Sequence, residues 1–143
     1  MKKILFILLS SILLASCELD MLNNSKFDGN WQLRQMDDLV NETVTDMTYS
    51  YIYWGIQDDL LQVRDIDNEN LRIFFQYSIN GNQLTIHSPY QALTKNDLVP
   101  VEDTEILQSL GITASEEHFQ IETLSSGTMV LTNPSYRLHF RKY

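Results

Sequence analysis

Leu71 to His87 reads LRIFFQYSINGNQLTIH, and this stretch decides the fold. Leu71, Ile73, Phe75, Tyr77 and Ile79 recur at every second position, which puts all five on one face of an extended strand. Asn80-Gly81 follows, the strongest short hairpin signal, because both central residues of a type I′ turn need positive φ. Gln83 to His87 then returns as the partner strand. Working outward, the same β signature recurs on both sides. Leu60 to Arg64 is a short strand, Met47 to Ile56 (MTYSYIYWGI) is dense in aromatic and β-branched residues, and Asn30 to Met36 alternates around Trp31 and Leu33. Towards the C-terminus, His118 to Leu124, Thr128 to Thr132 and Tyr136 to Arg141 are separated by the turn pairs Ser126-Gly127 and Asn133-Pro134. About eight strands at hairpin spacing predict an all-β barrel or sandwich.

One segment departs from this pattern. Val101 to Leu110 (VEDTEILQSL) brings Val101, Ile106, Leu107 and Leu110 near one helical face, and Gly111 supplies a stop. It predicts one short helix of one to three turns, inserted before the last three strands and lying over the sheet or capping it. Seven acids and no Lys or Arg fall between Asp97 and Glu122.

The first seventeen residues are of another kind. Lys2 and Lys3 precede an apolar run from Ile4 to Leu14, broken only by Ser10 and Ser11, and Leu14-Ala15-Ser16-Cys17 closes it. The run is about 12 residues, against the roughly 20 that a membrane-crossing helix needs. A positive start, a brief apolar core and a small-residue exit describe a secretory signal. The closing residues resemble the lipobox of bacterial lipoproteins. The resemblance implies cleavage of 1–16, a diacylglyceryl group on the Cys17 thiol and fatty-acyl chains such as palmitate at the new N-terminus. Residues 17–26 then form the lipidated cysteine and a flexible tether, and 27–143 form the domain. Glu18-Leu19-Asp20 lacks the plain aspartate that retains lipoproteins at the inner membrane, which favours the outer membrane, on either its periplasmic or its cell-surface side.

Cleavage leaves 127 residues, about one ordinary domain. It also removes Lys2 and Lys3, so eight bases face nineteen acids and the net charge is −11. Such a surface repels nucleic acid, whose binding depends on Lys and Arg neutralising phosphate. With Cys17 lipidated the domain has no thiol, disulfide or cysteine metal ligand.

Phe27-Asp28-Gly29-Asn30-Trp31 opens the domain with Gly-x-Trp, and Leu138-His139-Phe140-Arg141 closes it. This pairing resembles the lipocalin-like domains of small bacterial lipoproteins. It implies an antiparallel up-and-down barrel of about eight strands, in which Trp31, after Gly29, plugs one end beneath an arginine of the last strand. Arg137 and Arg141 share a strand face, and either fits that role.

The densest aromatic cluster is Tyr49, Tyr51, Tyr53 and Trp54. On a continuous strand the three tyrosines share one face, and with Phe75 and Tyr77 from a neighbouring strand they would line a ligand cavity. Eight-stranded barrels of this type hold one small ligand or fill solidly with side chains, and both outcomes are open. Asp65-Ile66-Asp67-Asn68-Glu69-Asn70 places oxygens at alternate positions like a calcium loop. It lacks the sixth-position glycine, and Gln76 stands where a bidentate Glu belongs. His87, His118 and His139 show no zinc-ligand spacing. No nucleophile-elbow, zinc-protease or phosphate-loop motif occurs, so catalytic residues, a metal and a cofactor are not expected. Two functions remain. The first is a tethered barrel that binds a small apolar or amphipathic ligand, and the second a filled barrel that docks an envelope protein or glycan.

Overall fold

The computed structural model describes residues 26–143; the signal segment, Cys17 and the tether up to Ser25 lie outside them. The elements, in chain order, are β1(Gly29–Asp38), β2(Thr43–Asp46), β3(Ile52–Gln57), β4(Leu60–Asp65), β5(Leu71–Asn80), β6(Gln83–Thr94), β7(Asp97–Pro100), α1(Glu105–Gln108), β8(Glu117–Leu124), β9(Thr128–Thr132) and β10(Tyr136–Lys142). Eight of the strands run antiparallel around a barrel in the order β1-β3-β4-β5-β6-β8-β9-β10, and β10 pairs back onto β1 to close it. The two further strands are short: β2 pairs with the distal half of β1, and β7 folds back on an extension of β6. Closure leaves no open edge among the eight, which removes the usual aggregation hazard of a sheet.

The β5–β6 hairpin forms one residue later than the Asn-Gly signal predicts. Asn80 pairs with Gln83, so the loop is Gly81-Asn82, and within it positive φ (60°) occurs at Gly81 alone. That is the type II′ pattern, with glycine first. The alternation itself stands. Ile73 and Phe75 are fully buried, and Leu71, Tyr77 and Ile79 pack against the same core.

The strand predicted over Met47 to Ile56 is broken. Asp46 Oδ1 accepts the Thr48 N–H at 2.9 Å, and Ser50 N–H donates to the Met47 carbonyl at 3.0 Å, which turns the chain. Tyr51 takes φ 51°, and pairing resumes only at Ile52. The aspartate and serine, both turn formers, outweigh the β preference of Tyr49 between them and Tyr51 after them.

Inward-facing residues of every barrel strand fill the interior. Trp31, Trp54, Phe75 and Phe119 are completely buried, and Phe140 nearly so. The Trp54 ring meets Phe140 at 4.9 Å and Phe119 at 5.9 Å between centroids. Each such aromatic or large aliphatic burial stabilises by about 1.5–3 kcal/mol. The inserted helix is a single turn, Glu105–Gln108, shorter than its predicted face. Leu107, Leu110 and Ile112 nevertheless have no exposed surface and stop one mouth of the barrel.

Candidate functional site

At the opposite mouth Trp31 sits at 0% exposure, and its indole N–H donates to the Phe27 carbonyl at 2.8 Å. The cation above it is neither Arg137 nor Arg141. It is Lys142, whose Nζ lies 5.2 Å from the ring centroid. Strand parity decides this: Leu138 and Phe140 point into the core, so position 142 points inward and 137, 139 and 141 point out. Gly29 makes room for it. At φ 132°, a Cβ there would stand 2.6 Å from Lys142 Cε. Arg137 instead forms a two-point pair with Glu122 on the outer wall, at 3.1 and 3.2 Å.

The five aromatics expected to line one cavity are not brought together. Tyr49 is 79% exposed and Tyr51 42%, both in the turn before β3. Tyr53 lies on the outer face of β3, edge-to-face with Tyr143 at 5.7 Å. Phe75 is sealed in the core. Tyr77 closes the Trp31 end, packed edge-on against Phe27 at 5.4 Å. Its hydroxyl donates to the Asp58 carbonyl. Burial, with the carboxylates of Asp28, Asp59 and Asp58 nearby, pushes that hydroxyl up to about 12, so it remains a neutral donor.

The recess with binding character lies outside the barrel. Asn30, Gly55 and Gln62 face one another directly across β1, β3 and β4, with Tyr143 beyond Asn30 and Phe74 then Tyr90 beyond Gln62. Gly55 has no side chain to fill the middle of this row. The point where its Cβ would stand is bordered by the amide oxygens of Asn30 (3.2 Å) and Gln62 (3.9 Å). A groove of about 710 Å³ runs over it towards Asp28, Asp58 and Phe74. A second recess of about 280 Å³, sharing Asn30, Gly55 and Gln62, extends towards Tyr53, Tyr143 and Arg64. No turn, bulge or positive φ demands glycine at 55, where the pairing register is unbroken on both sides. A glycine in a strand interior weakens the strand, and commonly marks a close approach by a ligand.

The other candidates are structural. Asp65 is buried and its carboxylate accepts the Asn68 N–H at 3.3 Å, so it serves the turn of its own loop. Burial raises its carboxyl pKa above the ordinary range. His87 meets Ser88 Oγ at 2.9 Å and His118 meets Thr85 Oγ1 at 3.0 Å. His139 Nε2 donates to Asp37 at 2.9 Å. Burial opposes charge on Asp37, but hydrogen bonds from His139 and Gln35 outweigh it and lower its pKa. Among the described residues, no three His, Cys, Asp or Glu side chains gather as a metal site.

A family model described as a lipocalin-like domain matches residues 12–143. The chain belongs to this family. Lipocalin-like domains bind ligands in general and are typically not enzymes. Three solved structures share the fold. A lipocalin-like protein from Bacteroides uniformis superposes with TM-score 0.64 at 21% identity, over 82% of this chain and 99% of that one. An uncharacterised protein from Bacteroides eggerthii gives 0.55 at 17%, over 82% and 99%. A protein from Burkholderia xenovorans gives 0.55 at 10%, over 85% and 86%. No curated protein matches the chain. Gly55 carries no site signal in the sequence, because a lone glycine inside the Met47 to Ile56 run belongs to no motif. The one hint available was its place between Trp54 and Ile56, in mid-strand.

Proposed function

We propose that this lipocalin-like domain is a binding module without catalytic activity. Lipid at Cys17 tethers it to the outer membrane, and it takes its ligand on the outside of a filled barrel. The contrast within β3 carries the reading. Its inner face presents Ile52, Trp54 and Ile56, all packed away, while its outer face presents Tyr53, a bare Gly55 and Gln57 over the groove. A ligand inside would have to displace Trp54 and Phe75, each a loss of several kcal/mol of packing. A ligand outside displaces only water.

The tether Glu18 to Lys26 leads directly into Phe27 at the Trp31 end, so this end would face the membrane and the helix-plugged end would face away. The groove opens on the barrel wall beside that end, where Asp28, Gly29 and Asp58 line it. Of the two functions left open by the sequence, this one corresponds to the filled barrel that recognises an envelope component, with Tyr53 kept as a contact and Phe75 as core.

The test is native mass spectrometry of the mature chain after exposure to a cell-envelope extract of glycans and lipids. The expected result is an added mass that Gly55→Val removes and Phe75→Leu leaves in place. An adduct that survives Gly55→Val and disappears with Phe75→Leu would put the ligand inside the barrel and sink the proposal.

A further inference from the structure

The chemistry of the groove narrows the ligand class, on the reading that the groove is the binding face. Its central row runs aromatic, amide, gap, amide, aromatic: Tyr143, Asn30, Gly55, Gln62, Phe74. Asn30 and Gln62 are two strand spacings apart, about 10 Å. Tyr143 is 85% exposed and held upright by its edge contact with Tyr53. Ring faces beside side-chain amides suit a molecule with apolar ring faces and a periphery of hydroxyls. Tyrosine supplies flat apolar area, and each amide supplies both donors and an acceptor. That description fits a saccharide.

The adjacent row supplies charge. Tyr53, Arg64 and Arg72 stand directly opposite one another on β3, β4 and β5, one step along the strands from the Gly55 row. Two arginines directly opposed on neighbouring strands repel each other. Neither has a carboxylate within 4 Å among the described residues, as is also true of Arg34 and Arg141, so their direct opposition is what sets this pair apart. Arg64 donates only to the Asn70 side-chain amide, at 3.2 Å. Arg72 Nε is buried and donates to nothing among the described residues. By contrast, Arg137 is paired with Glu122. Two unneutralised guanidiniums on an otherwise strongly acidic surface, one bordering the recess beside Tyr53 and Tyr143, form a local site for an anion.

We infer that the groove over Gly55 binds an acidic oligosaccharide. Its rings lie along Tyr143, Asn30, Gly55 and Gln62, and a sugar carboxylate faces Arg64 and Arg72. Asp28 and Asp58 lie on the opposite side of this row from the two arginines, and their charge fixes which edge of the sugar faces Arg64 and Arg72. Gly55 is the specificity determinant, because any side chain there occupies the space of a ring.

The experiment is an NMR titration of the mature chain in detergent micelles, with three probes: oligogalacturonate, a glucuronate-containing oligosaccharide and sialyllactose. Each is paired with its carboxyl methyl ester, which keeps the rings and removes the charge. At least one acid is expected to shift the Gly55 amide and the Arg64 and Arg72 Nε–H signals. Its ester should bind at least about tenfold more weakly, since a hydrogen bond to a charged group contributes 1.5–3 kcal/mol. Arg64→Gln and Arg72→Gln should each reproduce that loss with the acid and change nothing with the ester. Gly55→Val should abolish both while the rest of the spectrum stays folded. Equal binding of acid and ester at Gly55 would overturn the acidic-sugar inference and leave the outer groove as the binding face. Silence from all three acids would also overturn it. Shifts confined to Trp54 and Phe75 would overturn the outer-face reading as well.

Discussion

The two mouths of this barrel are closed by different means. At one, Trp31, Phe27 and Lys142 belong to the strand ends themselves or to the residues entering them, and contact one another across the first and last strands. At the other, the plug is a separate segment between β7 and β8, held by a few specific contacts. Gly111 takes φ 77° and lies so close to Leu138 that a Cβ would stand 2.5 Å from Leu138 Cδ2. Asn133 Nδ2 donates to the Gly111 carbonyl at 3.1 Å. The Glu117 carboxylate accepts from Thr113 N, Thr113 Oγ1 and Ala114 N at 2.8, 2.8 and 3.1 Å. The first closure is part of the barrel's cooperative unit, whereas the second is able to loosen by itself. Elements joined by few contacts open at lower free energy than the core.

The largest effect should come from Trp31→Ala. Truncating a fully buried tryptophan costs about 3–5 kcal/mol, and denaturant unfolding should show one transition displaced as a whole. A residual folded barrel with a locally frayed mouth would break the distinction between the two ends. Gly111→Ala should come next, at about 2–4 kcal/mol from backbone strain and the clash with Leu138. Hydrogen exchange should quicken across 104–114 well before β1 and β10 respond; uniform acceleration would show that the plug is not separable.

Glu117→Ala should cost about 1–3 kcal/mol, because it leaves two loop N–H groups and a hydroxyl without their acceptor. Its exchange effect should be confined to the same segment. The smallest effect belongs to Asp65, which sits at the plugged mouth with its pKa raised by burial. A raised carboxyl favours folding of the protonated form, so its stabilising contribution is complete below the unfolded pKa and is lost as pH rises through the folded one. Asp65→Asn should therefore raise Tm modestly at pH 7 and match the native chain near pH 3. A variant less stable than the native chain at pH 7 would count against that account.

Much of the barrel was legible in single residues. The alternation from Leu71 to Ile79 reported the inner face directly, since side-chain direction in a strand depends only on parity. Gly-x-Trp placed the first strand and its plug. What misled was competition between local signals. Met47 to Tyr53 carries strong β preference, but Asp46 and Ser50 hydrogen-bond the local backbone and break the strand, so Tyr49 and Tyr51 never share a face with Tyr53. The family resemblance implies an arginine over Trp31, Arg137 or Arg141, whereas parity from Leu138 and Phe140 points to Lys142.

The outer groove is a different case. Tyr143, Asn30, Gly55, Gln62 and Phe74 come from the end of β10 and from β1, β3, β4 and β5, and no motif joins them. Side-chain pattern alone determined the strand class, the inner face and the hairpins, because these depend on neighbours within a few residues. The β3–β4 and β4–β5 registers, which set Gly55 against Gln62 and Arg64 against Arg72, follow from short local connections. The register of β1 against β3 and β10 was decided only when the barrel closed, and that closure brings Asn30 and Tyr143 to the other side of the bare glycine.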